Sequence, residues 1–97
     1  MDIEKSILGA IILESNSFYE VQSLLFADLF QNEKNRKVMQ GIESLVAKSM
    51  KVDLVSLYSE LKNEIDPTYL SSMTNAVASS ANLETHVRIL QQKWIEN

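Results

Sequence analysis

The sequence predicts an all-α fold, a compact bundle of about six short helices, and three observations carry that expectation. Apolar residues recur at helical spacing, as in Leu54, Leu57, Tyr58 and Leu61. Only two glycines and one proline interrupt the 97 residues, so the breaks that separate short strands are scarce. Residues that cap helix N-termini, among them Asn32, Asp53 and Asp66, stand ahead of segments with helically spaced apolar residues.

The first helix is marked by Ile3, Ile7, Leu8, Ile11 and Ile12, a wide apolar stripe. Gly9 lies inside it, where glycine costs about 1 kcal/mol relative to alanine; a close approach by another helix would account for it. Ser17 and Glu20 have capping-box spacing and open a short second helix with Phe18, Val21, Leu24 and Leu25 inward. Phe26, Leu29 and Phe30 form a connection expected to tuck beneath the next helix. That helix, capped by Asn32, should run to about Ser49 with Val38, Met39, Ile42, Leu45 and Val46 inward. Glu33 near its start and Lys48 and Lys51 near its end suit the helix dipole.

Asp53 should cap the fourth helix. Asp66-Pro67 reads as an N-cap followed by proline at the first helical position, where the missing N–H costs nothing. Tyr69, Leu70, Met73 and Val77 continue that fifth helix. Ser79 or Ser80 introduces the last, with Leu83, Val87, Leu90 and Trp94 at helical spacing. Apolar Ile89, Trp94 and Ile95 near its end lead to the expectation that the chain is an excised piece of a longer protein.

Size and composition bound the function. A chain of 97 residues is one domain with one core, large enough to fold without disulfides. The absence of cysteine excludes a disulfide scaffold and thiolate metal sites, and a cytoplasmic protein is expected. The longest apolar runs fall far short of the roughly 20 residues a membrane span needs, and acidic Asp2 and Glu4 do not suit a signal peptide. A net charge of -4 opposes direct binding to a polyanion.

Few residues are candidates for chemistry. His86 is the single histidine and has no carboxylates at ligand spacing around it, so it reads as a solvent-facing helix residue. Ser6, Ser56 and Ser59 lack a glycine-framed elbow and read as ordinary helix serines. Gly9 and Gly41 are isolated, which excludes a P-loop and a dinucleotide fingerprint. Lys34, Arg36 and Lys37 form the one basic cluster, and with Glu33 beside them they read as a solvated helix face. No catalytic, cofactor-binding or metal site is expected. Trp94 either completes the core or anchors an interface, a role in which tryptophan is enriched. Leu90, Trp94 and Ile95 are the candidate interface residues.

Several segments, in order, resemble the N-terminal domain of DnaB-type replicative DNA helicases. Glu4, Leu8 and Gly9, followed by Ile11, Ile12 and Leu13, match a Glu-x-x-x-Leu-Gly pattern with trailing aliphatics. Asp28-Leu29-Phe30 and Val38 to Leu45 match a Phe-containing connection and long helix. Asp53-Leu54-Val55-Ser56-Leu57, Glu60-Leu61, Tyr69-Leu70 and Ser79 to Glu84 match the later segments. Near the start of the long helix the family often has a histidine where this chain has Asn35, a departure from the pattern.

The resemblance implies a single helical head over residues 1–97, with 81–97 beginning a helical hairpin. It implies a role in protein-protein interaction and oligomerisation in the collar of a hexameric helicase, with docking of DnaG-type primase and, in some systems, a helicase loader. ATP and Mg would sit on a separate RecA-like domain of the parent protein, and this piece would have no catalytic site. Two other readings compete with this one. A free-standing helical adaptor or inhibitor could bind a helicase or primase, and a small nucleic-acid binder could use the basic cluster.

Overall fold

In a computed structural model, which describes residues 2–77 and 82–96, six α-helices follow one another. They are α1 (Ile3–Leu13), α2 (Phe18–Val21), α3 (Glu33–Ala47), α4 (Leu54–Leu61), α5 (Pro67–Asn75) and α6 (Leu83–Glu96). Short 3-10 turns at Ser15–Ser17, Gln22–Leu24, Ala27–Leu29 and Lys62–Glu64 link them, and there is no strand among the described residues. The expected opening of the last helix at Ser79 or Ser80 lies outside the described residues.

The centre of the bundle is α1. Every residue from 6 to 12 is buried, so this helix is enclosed on all sides by α5, α6 and α3. Its most extensive packing is against α5, and Gly9 is the reason the two can meet so closely. A Cβ at Gly9 would lie 2.1 Å from the Met73 carbonyl oxygen and 2.6 Å from Val77 Cγ2. The close approach expected from the sequence is therefore present. Phe18, Val21, Leu29, Phe30, Val38, Met39, Ile42, Leu45, Leu57, Leu70, Met73 and Leu83 complete the same core.

Local chemistry sets most of the helix ends. Asp2 accepts from the Lys5 amide at 3.2 Å, and Asn32 accepts from the amides of Lys34 and Asn35. Asp53 and Ser56 form a reciprocal capping box, each side chain accepting from the other's amide at 2.8 and 2.9 Å. Asp66 accepts from the Thr68 amide at 2.8 Å, with Pro67 in the first turn. At the end of α3 the Met50 amide donates to the Leu45 carbonyl and the Ser49 amide to that of Val46, a Schellman closure. It requires a left-handed residue, and Ser49 takes that place with φ 60°.

Three expectations are corrected. The Ser17–Glu20 capping box does not form, because Ser17 sits in a 3-10 turn with helical torsions and its hydroxyl donates back to the Glu14 carbonyl at 2.6 Å. Val77 does not continue the fifth helix, because α5 ends at Asn75 with Ala76 as its C-cap. Phe26 lies at the surface, while its neighbours Leu29 and Phe30 are fully buried beneath α3 as expected.

Candidate interaction surfaces

The last turns of α6 carry the first apolar surface. Leu83, Val87, Leu90 and Trp94 share one face of the helix; the first three are buried, whereas Trp94 reaches the rim of the bundle and is 47 % exposed. There it meets Phe26 edge-to-face, with ring centroids 5.2 Å apart. Ile95, one residue on, is 68 % exposed. Of the three candidate interface residues, Leu90 thus lies in the core at 2 % exposure. Phe26, which the sequence reading assigned to an inner connection, joins Trp94 and Ile95 at the surface.

A second surface is a shallow groove of about 800 Å³ between the end of α1, α2 and the α3–α4 connection. Leu13, Tyr19 and Met50, all half-exposed or more, project around it, with Val46 and Val52 toward its floor. The Schellman closure at Ser49 turns the chain sharply after α3 and so puts Met50 on this wall. Sequence reasoning missed the groove, since no periodic signal links Leu13, Tyr19 and Met50.

It also missed a polar knot joining three helices. The Glu4 carboxylate accepts from the amides of Gln31 and Asn32 at 2.9 and 3.3 Å and from Asn35 Nδ2 at 2.8 Å. It therefore closes the N-terminus of α3 from a different helix, where negative charge is favoured. Asn35 is 1 % exposed and needs both ends of its amide satisfied; Tyr69 on α5 donates to its Oδ1 at 2.5 Å. Burial, reinforced by Asp2 and Glu4, pushes the Tyr69 hydroxyl above the usual tyrosine range. The ammonium groups of Lys5 and Lys34 lie 4.7 and 5.2 Å from the centroid of its ring. Lys34 of the basic cluster is thus engaged with Tyr69, and Arg36 and Lys37 are half-buried along the helix.

Elsewhere the charged groups serve the fold. Lys48 and Ser44 both bond to the Glu60 carboxylate, the former at 2.7 Å, tying α3 to α4 and holding that carboxyl below its usual range. Ser56 is committed to its capping box, Ser6 is buried, and His86 is half-buried. Among the described residues no group of three or more histidine and acidic side chains could hold a metal ion. None of their helices is long and apolar enough to cross a membrane.

The comparisons with known proteins agree with this architecture. The family model described as the DnaB-like helicase N terminal domain matches residues 1–92. Over 98 % of its length the chain is 30 % identical to the replicative DNA helicase DnaB of Rhodothermus marinus and to the replicative DNA helicase DnaC of Bacillus subtilis. It spans only 11 % and 22 % of those two proteins. The crystal structure of the N-terminal domain of the Mycobacterium tuberculosis DnaB helicase superposes on 94 % of this chain and 69 % of its own, with a TM-score of 0.88 at 23 % identity. The chain covers the N-terminal domain alone, and its sequence has no glycine-rich phosphate loop for an ATPase site. With the family model matched from residue 1 to 92 and an all-helical fold in common, this chain belongs to the DnaB-like helicase N-terminal domain family.

Proposed function

We propose that the domain is the interaction head of a hexameric replicative DNA helicase, pairing with copies of itself in the N-terminal collar. The observation that carries this reading is Trp94, half-exposed at the rim with its ring against Phe26, and the exposed Ile95 next to it in sequence on α6. Aromatic anchors of this kind dominate protein interfaces because they bury much area with little loss of conformational freedom. The work of such a head is organisational. Paired heads set ring geometry, and the parent's ATP-driven motor, with its Mg, resides in another domain.

The groove around Leu13, Tyr19 and Met50 is the surface we assign to docking of DnaG-type primase or a helicase loader. Its apolar walls would supply affinity, while Lys51 at its rim would steer orientation. With a net charge of -4, the head takes no direct part in gripping nucleic acid.

Sedimentation velocity of wild type, Trp94→Ala and Ile95→Asp tests the pairing surface. Loss of an anchor residue costs about 2 kcal/mol, or roughly 30-fold in the dissociation constant. Ile95 is 68 % exposed, so Ile95→Asp separates weakened pairing from damage to the fold. If both variants self-associate as the wild type does, the pairing surface is elsewhere. For the groove, titration of purified primase C-terminal domain against Tyr19→Ala should show weakened binding, and unchanged affinity removes the assignment.

A further inference from the structure

We propose that Glu4 is a positioning residue, a latch that sets the direction in which the last turns of α6 leave the bundle. The inference rests on the reading that the Phe26, Trp94 and Ile95 surface is the one that pairs heads. It begins with what supports that end of α6. Beyond Leu90, Trp94 packs on Phe26, and Leu90 and Lys93 share a cleft with the first turn of α1. Ile3 and Glu4 form one wall of a cleft of about 340 Å³ whose opposite wall is Leu90 and Lys93.

A first helical turn frays unless something holds it. In α1 the half-buried Ile3, the Asp2 cap and Lys5, whose ammonium donates to the Ser72 hydroxyl on α5 at 3.2 Å, give part of that hold. The three bonds that the Glu4 carboxylate accepts from Gln31, Asn32 and Asn35 tie this turn to the start of α3, and Asn35 extends the tie to Tyr69 on α5. Bonds to an ionised acceptor are about twice as strong as neutral ones, so one carboxylate fixes the turn against two helices. The turn then presents a fixed wall to Leu90 and Lys93, and the angle at which Trp94 and Ile95 are offered to a partner follows from it.

The test uses Trp94, the chain's single tryptophan, as a reporter. Glu4→Gln keeps the side chain's size and removes its charge. Amide exchange at Gln31 and Asn32 should quicken by about tenfold, since each loses a charge-assisted acceptor, and Trp94 emission should move to longer wavelength as the α6 end loosens. Glu4→Asp, still charged but shorter, should fall between Glu4→Gln and wild type and remains informative if Glu4→Gln folds poorly. Asp53→Ala removes the cap of α4 and leaves every bond of the latch in place; it should lower stability without moving Trp94 emission, which separates positioning from general weakening. Unchanged amide exchange in Glu4→Gln overturns the latch, and so does faster exchange with Trp94 emission fixed. A shifted emission with unaltered sedimentation upholds the latch and instead refutes the pairing surface.

Discussion

Replacing Gly9 by alanine sets two effects of opposite sign against each other, so the sign of the result is itself the test. In a helix interior the substitution alone stabilises by about 1 kcal/mol. Here the new Cβ would lie 2.1 Å from the Met73 carbonyl oxygen, 2.7 Å from its carbonyl carbon and 2.6 Å from Val77 Cγ2. Ordinary carbon–oxygen contact is about 3.3 Å, so α1 and α5 must separate by roughly 1 Å, enough to forfeit a quarter to a half of the dispersion energy across that seam. The obstacle is backbone and cannot rotate away, which places the cost near the upper end of the overpacking range, about 3 kcal/mol. The net effect is a loss of about 2 kcal/mol, or a fall in Tm of roughly 10 °C for a domain of this size. Urea and thermal unfolding followed by circular dichroism measure it, with Gly41→Ala as the control. There the Cβ would meet the ends of Leu61 and Leu57 at 3.0 to 3.2 Å, flexible groups that can shift. A Gly9→Ala protein as stable as wild type, or more so, refutes the close-approach argument.

Two further substitutions probe the helix ends. Ser49, held at φ 60°, should gain about 1 kcal/mol on replacement by glycine, read as a higher urea midpoint at unchanged slope. Asp53→Ala should cost about 1 kcal/mol at neutral pH through loss of the cap. Because the Ser56 amide holds the Asp53 carboxyl below its ordinary value of 3.8, the cap's electrostatic share is fully present above the unfolded pKa and disappears as pH falls through the lower folded one. The gap between wild type and Asp53→Ala should therefore narrow below about pH 4. A gap that widens in acid contradicts the assignment.

What was legible in the sequence was what is encoded within a few residues. Asn32, Asp53 and Asp66 cap their helices as read, because an N-cap bonds only to amides two or three positions ahead. Ser17 shows where that logic stops, for the residue types are right but the backbone there is already helical and the hydroxyl turns back on Glu14. Periodicity could not separate Leu90 from Trp94, since both occupy the same face of α6 and only the edge of the bundle divides core from surface. The Glu4, Asn35 and Tyr69 knot lay beyond reach for a simpler reason. Its bonds join residues 31 and 34 positions apart, and no short-range pattern announces them.

The enclosure of α1 has a consequence during synthesis. Its apolar segment is made well before the helix that closes over one flank, α6, which begins only at Leu83, some 70 residues after α1 ends at Leu13. At about 5–20 residues per second, a ribosome takes roughly 4 to 14 seconds to cover that distance. For that interval the flank of α1 that α6 covers stays open on the nascent chain, a strip greasy enough to engage a chaperone before the bundle can shut around it.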